Sequence, residues 1–429
     1  MSFSRKLLSG LFVAALFLCL LEVGFRVVLG APTPELAATL PDGTGELIRR
    51  TPDGIEATYQ YDRRQPAVRP KRAGDGPRVV WLGGSSVHGG SRDISPSEEA
   101  PGRAGELLGV ESLNFAGIGM DTVSIGAILD DVLSLKPDVI VLYTGHNELG
   151  NAVFTGRYGD AGTARIATLR ASLGSSRLYQ ALEMGIRGRE TLTLPSEANE
   201  GKFTVSDRTR REIRWRFAER LSHIVSKAEA AGVRVVLATL MSNPVAPSME
   251  FACPDAMRRA GFSSFRPEAL PVRDLKESDI AAAEAMSPGC RDLDWLRARR
   301  GADREALDTL RDDDPLPVRA GRALNETVRS VASETGAVLV DVDRMARAAG
   351  GGLEPSAWFL DPMHLTVDGH DALARMVGAS VAALVGVNAP DPVRAPEIER
   401  DLAGCGGEGC RARRAFRPEF DLDFGQGRP

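Results

Sequence analysis

The stretch VVWLGGSSVHGGSR, Val79 to Arg92, decides how the rest of this chain is read. An uninterrupted apolar run stops abruptly in a turn of glycines and serines, the pattern of a short strand buried on both faces. The turn raises a chemical question. Gly84 to Ser91 reads Gly-x-x-x-x-Gly-Gly-Ser, one residue short of a phosphate-binding loop. Such a loop needs a lysine to reach the outer phosphates, and Gly90 stands in its place. No Gly-x-Gly-x-x-Gly opens a helix here either. What remains is a strand-to-helix turn that presents a serine.

Working outward, similar apolar runs recur at SLNFAG (112–117), DVIVLYTG (138–145), VRVVLATL (233–240) and AVLVDV (337–342). Helical patterns separate them, around 121–135, 209–231, 317–335 and 366–385, and Gly232 stops the second of these. Short buried strands alternating with helices predict an α/β domain whose parallel sheet is covered on both faces. Ligands of such sheets bind beyond the carboxyl ends of the strands. That rule places Gly84–Ser86, Gly117–Gly119 and Gly145–Glu148 along one edge. Residues 151–208 and 243–315 are long insertions with few strand signals, expected to be caps or mobile segments. The domain is expected over 76–388, followed by a peripheral or disordered tail, 389–429.

The chain of 429 residues is 43% hydrophobic and 26% charged, as a folded globular protein is. A net charge of −5 and no evident basic stripe argue against a nucleic-acid partner. The N-terminus differs. Arg5 and Lys6 precede Leu7 to Phe25, an apolar run that as a helix spans roughly 28 Å, about one hydrocarbon thickness. Residues 1–30 are therefore expected to be a single-pass membrane anchor, with the basic end in the cytoplasm and the rest outside it, in the periplasm of a bacterium. Glu22 and Arg26 are spaced to pair at the far interface. The alternative is a secretory signal cleaved before Ala31. Residues 31–75, rich in Pro, Gly, Arg and Asp, read as a stalk or a loosely docked segment.

Cys19 lies inside the apolar run. Cys253, Cys290, Cys405 and Cys410 would then face an oxidising compartment, where Cys253–Cys290 and Cys405–Cys410 are the expected disulfides. Zinc is the competing reading. It is weak, because none of the four stands as Cys-x-x-Cys and no histidine is near them.

A serine hydroxyl becomes a nucleophile only with a base to take its proton and donors for the oxyanion. The chain supplies these in order. FLDPMHLTVDGH offers Asp361 and His364, spaced so that the carboxylate can accept from one ring nitrogen while the other faces the serine. NFAGIGMDT and YTGHNE end their strands with Gly119 and Asn147, one backbone N–H and one side-chain amide. Gly117 is an alternative to Gly119, since Gly-Ile-Gly lets the register slip.

With these residues the chain resembles the SGNH, or GDSL-type, hydrolases, named for a Ser, a Gly, an Asn and a His in separate blocks. LGGSS resembles the first block, with Gly84 where the family often has Asp, so that Ser85 rather than Ser86 maps to the nucleophile. NFAGIG, GHNE and DPMH resemble the others, giving Gly119, Asn147, and Asp361 with His364; Gly369 also falls where such sequences carry a glycine. Each block alone is a weak signal, but four in the right order at strand ends are strong. The resemblance covers roughly 78–150 and 230–385 and leaves out the anchor, both insertions and the tail.

It implies a flavodoxin-like three-layer α/β/α fold with a five-stranded parallel sheet, and ester hydrolysis through an acyl-enzyme. Ser85 would attack, His364 act as base and then acid, and Asp361 fix its tautomer. Ser85, Gly119 and Asn147 would hold the oxyanion, with no cofactor and no metal. The substrate would be a small-molecule, glycan or lipid ester outside the cytoplasm. Two rivals stand beside this reading: an acyltransferase that modifies an exported polysaccharide with the same triad, and a catalytically silent binding or assembly module. His88, His146, His223 and His370 are expected to be structural or solvent-facing, Glu148 a hydrogen-bond acceptor, and Arg319 and Asp341 packing residues of the last strand and helix.

Overall fold

Arg78–Gly83 (β1) is a strand whose every residue is buried, and the sheet is built outward from it. The computed structural model describes residues 17–24, 26–28, 48–57, 67–89, 94–154, 178, 207–246, 253–260, 276–301, 303–314 and 319–393. Within them β1 pairs in parallel with Glu111–Asn114 (β2) on one side and Val139–Tyr143 (β3) on the other. Arg234–Ala238 (β4) and Val338–Val340 (β5) extend the sheet beyond β3, giving the five-stranded order β2-β1-β3-β4-β5. In register, Val79 lies beside Ser112 and Val139, and Val236 beside Val141 and Val338. The order 2-1-3-4-5 is the flavodoxin-like one, as expected.

Parallel strands need cover on both faces, and helices supply it. Ser85–His88 (α1) follows β1 directly, and Ala100–Leu108 (α2) carries the chain to β2. Thr122–Ser134 (α3) leads to β3 and His146–Phe154 (α4) leaves it. Asp207–Ala230 (α5) precedes β4. Its helical pattern buries Ile213, Phe217, Leu221, Ile224 and Val225 against α3, the later helix Arg322–Thr335 (α10) and the sheet. Asp121 caps α3 by accepting from the N–H groups of Val123 and Ser124.

The described residues of the long insertion 243–315 are mostly helical. Pro254–Arg259 (α6), Glu277–Met286 (α7), Arg291–Arg300 (α8) and Arg304–Asp312 (α9) surround a second core of Met257, Ile280, Leu293, Leu296 and Leu307. The expected Cys253–Cys290 disulfide joins the starts of α6 and α8. Asp292 lies close enough to complete a metal triad, but the two sulfurs are bonded to each other. Cys405 and Cys410 lie outside the described residues. After the insertion come α10, β5, Val342–Ala349 (α11) and Val367–Val385 (α12), which packs with α2 on the opposite face from α3, α5 and α10.

Buried charges fasten the insertion to the domain. Arg311 of α9 meets Glu354 at 3.0 Å, with 2% and 0% of the two side chains exposed. Arg347 of α11 reaches Asp308 of α9 at 2.7 Å. Leaving either member of a buried pair alone is costly, so the pair fixes how the helices dock. Burial pushes the Glu354 carboxyl up despite two arginines beside it.

The segment expected as a stalk or a loosely docked segment contains a docked hairpin. Ile48–Thr51 pairs antiparallel with Gly54–Ala57, and Ile55 and Ala57 join the main core. Arg50 pairs with Asp131 at 2.6 Å, and Lys71 with Asp138. At the N-terminus, residues 17–24 and 26–28 are helical, and Glu22 and Arg26 pair at 2.7 Å as expected. Leu7 to Leu16 of the expected anchor lie outside the described residues, as do most of 151–208 and the tail beyond 393. Among the described residues, no helix is long and apolar enough to cross a membrane.

Candidate active site

The site sits where the strand order reverses. The chain leaves β1 toward β2 on one side and returns across it to β3, which opens a crevice between the carboxyl ends of β1 and β3. These tips approach so closely that side chains are excluded. A Cβ on Gly83 would lie 2.3 Å from the Tyr143 carbonyl oxygen, and one on Gly84 would lie 2.5 Å from Asn147 Nδ2. Gly84 caps α1 with an extended backbone, φ −90 and ψ −165, and Ser85 is the first residue of that helix. The amide of Asn147 thus occupies the space that a side chain at position 84 would need.

Ser85, His364 and Asp361 are brought together. The Ser85 Oγ lies 2.8 Å from His364 Nε2, and His364 Nδ1 meets Asp361 Oδ2 in a short contact. The other carboxylate oxygen, Oδ1, accepts from the backbone N–H of Met363 at 2.8 Å and of His364 at 2.7 Å. That turn is why Asp-x-x-His works: the aspartate folds back on its own loop and aims at the ring three residues on. Burial alone would push the Asp361 carboxyl up; the adjacent imidazole and two N–H donors outweigh it and hold it below its ordinary value. For His364, burial pulls the ring down, and the Asp361 charge and hydrogen bond more than reverse this. The imidazole is thus a stronger base than a free one.

The donors expected for an oxyanion line the same crevice. Gly117 N–H is already used, donating to the Gly83 carbonyl at 3.1 Å. Gly119 has a left-handed φ of +70, which favours glycine although a Cβ there would meet nothing. Among the described residues its N–H has no acceptor, which separates it from Gly117. The same holds for Ser85 N–H. Asn147 spends one amide hydrogen on the Met120 carbonyl at 2.9 Å and keeps the other.

Supporting residues lock this loop, and they carry no motif of their own. Asn151 of α4 donates to the Gly119 carbonyl at 2.8 Å and to Asp121 Oδ2 at 2.9 Å. Glu148 is fully buried and accepts, as expected, from Thr122 N–H at 2.6 Å and Arg220 at 3.0 Å. Burial and the nearby Asp121 push its carboxyl up, with Arg220 opposing. On the other side Asn243, just past the end of β4, donates to the Asp361 carbonyl at 3.2 Å and its N–H to the Pro362 carbonyl at 2.9 Å. Arg319 in turn donates to the Asn243 carbonyl at 2.9 Å. It lies in the loop before α10, not inside a helix as the 317–335 pattern predicts. Burial lowers the Arg319 guanidinium to about 10. Asp341 caps α11 and receives Arg329.

The remaining histidines are placed as expected. His146 is buried, accepts from Ala320 N–H at 3.0 Å, and is pushed down to about 3, first by burial and then by the nearby His364. It is neutral. His370 accepts from Ala100 N–H at 3.2 Å, His88 is buried beneath the serine turn, and His223 is exposed on α5.

No protein-family model matches this chain, and neither does any curated protein. Solved structures similar in shape include the acetyl xylan esterase AlAXEase, 14% identical, with 71% of this chain and 99% of that one covered at a TM-score of 0.33. A variant of an acetyl xylan esterase from Geobacillus stearothermophilus is 13% identical, with 73% and 96% covered at a TM-score of 0.34. A protein described as a GDSL-like lipase, from Parabacteroides merdae, is 12% identical, with 74% and 100% covered at a TM-score of 0.36.

The steric account of Gly84 makes a double-mutant prediction. Gly84→Ala should destabilise the fold by about 1–3 kcal/mol through overpacking. In an Asn147→Ala background the colliding amide is gone and only the Met120 carbonyl, 3.3 Å from the new Cβ, stays close, so the same change should cost markedly less. Urea unfolding of the four proteins measures the coupling, and equal costs in both backgrounds would refute the contact.

Proposed function

We propose that this chain is a serine hydrolase that cleaves an ester through an acyl-enzyme. The observation that carries this reading is the hydrogen bond from Ser85 Oγ to His364 Nε2, with Asp361 on the opposite ring nitrogen. With Nδ1–H donated to Asp361, Nε2 is left as the acceptor for the serine proton. Ser85 Oγ attacks the ester carbonyl while that proton moves to Nε2. The tetrahedral oxyanion is held by the Ser85 and Gly119 N–H groups and the open hydrogen of Asn147. Collapse breaks the bond to the alkoxy oxygen, which takes the proton from His364 and leaves as alcohol. Water then attacks the acyl-serine with His364 as base, and the acid leaves as Ser85 regains its proton.

The substrate we propose is an acyl ester of a glycan or lipid outside the cytoplasm, with the enzyme tethered there by its N-terminal run. Arg5 and Lys6 before the apolar stretch support that orientation, and the Cys253–Cys290 disulfide fits an oxidising compartment.

The wild type is expected to hydrolyse p-nitrophenyl acetate and to be labelled by a fluorophosphonate at Ser85. Ser85→Ala should abolish both, and Asn147→Ala should lower kcat by about 10²–10³ through loss of one oxyanion donor. Turnover surviving in Ser85→Ala, or labelling elsewhere, would sink the assignment.

The base must be neutral to work. Because Asp361 raises the His364 pKa, kcat/KM should rise with pH around a midpoint above the ~6.5 of a free imidazole. Asp361→Asn removes the charge, so its midpoint should move to lower pH while the rate falls. A midpoint that stays put would show that Asp361 does not act on the ring.

For the anchor, protein recovered from membranes should retain residues before Ala31. N-terminal sequencing that begins near Ala31 would replace the tether with a cleaved signal.

A further inference from the structure

Helix α5 carries a surface feature that the triad does not use. Trp215 is 58% exposed, although the apolar stripe of the helix is buried in the core. Around it stand Arg208 and Arg211, both exposed, and Arg214, half-buried. At 3.6 residues per turn, 208, 211 and 215 fall on one face, with 214 at its flank. Most described arginines are held by carboxylates, including Arg216 with Glu212 at 2.6 Å and Arg220 with Glu148 on this same helix. Among the described residues, Arg208, Arg211 and Arg214 have no such partner. The sequence hides this stripe, because acidic residues interleave with it along the chain.

The position of the stripe follows from two anchors on the helix. Below Trp215, Arg220 donates to Thr122 Oγ1 and Glu148 at the oxyanion corner. Above it, Arg210 donates to the Asp312 and Asp314 carbonyls at the C-terminal end of α9. Trp215 lies midway between the two arginines along the helix but about 140° around it from each, so the indole faces away from these contacts into solvent.

We propose that Arg208, Arg211, Arg214 and Trp215 form a subsite for an anionic polysaccharide strand. The indole offers one flat apolar plane of the size of a sugar ring. The unpaired guanidinium groups present forked donors for the carboxylate or sulfate groups along the strand. A lipid surface fits less well: interfacial helices insert an apolar face, and here that face is buried. Glu219, exposed one turn beyond Trp215 on the same face, confines an anionic strand to the Arg208–Trp215 end. Binding at this face does not need the triad.

The test uses the full-length protein with polygalacturonate and dextran sulfate as anionic probes, and dextran as the neutral one. Wild type should bind at least one anionic probe in a salt-sensitive manner and leave dextran unbound. Trp215→Ala, and separately Arg208→Ala with Arg211→Ala, should weaken that binding roughly tenfold or more. Their melting temperatures and p-nitrophenyl acetate turnover should stay at wild-type values. Absence of binding to both anionic probes, or variants that bind as wild type does, would overturn the subsite. So would a Trp215 dependence seen only with phosphatidylglycerol vesicles, which would make the patch a membrane contact. Ser85→Ala should lose turnover and keep polysaccharide binding. If wild type binds through Trp215 yet hydrolyses no ester, the hydrolase reading fails and the subsite stands.

Discussion

The site depends on one contact: the tips of β1 and β3 touch without side chains between them. Gly83 lies against the Tyr143 carbonyl and Gly84 against the Asn147 amide. A side chain at either position would force the strand tips apart, and the two halves of the crevice would separate. Ser85 belongs to one half and Asn147 to the other. This approach brings two residues distant in sequence to the same crevice.

Around that contact the two sides of the site are held by separate networks. Asn151, Glu148 and Arg220 fix the Gly119–Thr122 loop to α4 and α5, so the donors are braced by helices rather than by the loop itself. Asn243 and Arg319 hold the Asp361–His364 loop from the other side. Each network is largely buried, where its polar groups are costly to leave unpaired. Preorganisation of this kind is what oxyanion stabilisation requires, because donors that must first reorient contribute less.

The fold was largely legible because its signals are local. Five apolar runs and four helical patterns were enough to predict a covered parallel sheet, and the structure contains each of them, most trimmed by a residue or more at the ends. The exception is the last pattern before β5, where Arg319 and its neighbours stay in a loop and the helix starts at Arg322. Helix α2 escaped notice because its APGRAGELL sequence carries two glycines, which weaken helical propensity; packing against α12 supplies what propensity lacks. The hairpin at 48–57 was invisible for a similar reason, its short strands depending on docking rather than on a strong alternating pattern. Of the candidate site, motif order names Ser85, Gly119, Asn147, Asp361 and His364, and the structure brings Ser85, His364 and Asp361 into contact. Asn151, Asn243 and Arg220 could not, since each acts through one or two tertiary hydrogen bonds that leave no spacing in the sequence. Only the position of Asn243, just past a strand end on the ligand side, carried a hint.

The helical insertion is not a passive appendage to this arrangement. Its second core includes Leu353, and its buried Arg311 pairs with the next residue, Glu354. Both precede the Asp361–His364 turn by only a short 3-10 segment, Ser356–Trp358. The loop that presents the base is therefore clamped twice, by Asn243 from the sheet and by α9 from the insertion. Two such clamps from different cores restrict the rotations that would draw His364 away from Ser85, although the triad side chains themselves remain 22% and 21% exposed at His364 and Asp361. An insertion that buries an ion pair at this point, rather than an apolar contact, fixes a single docked register: a shifted helix would strand two charges in the interior. The base is thus kept reachable from solvent and yet unable to wander, which is the combination a reacting imidazole needs.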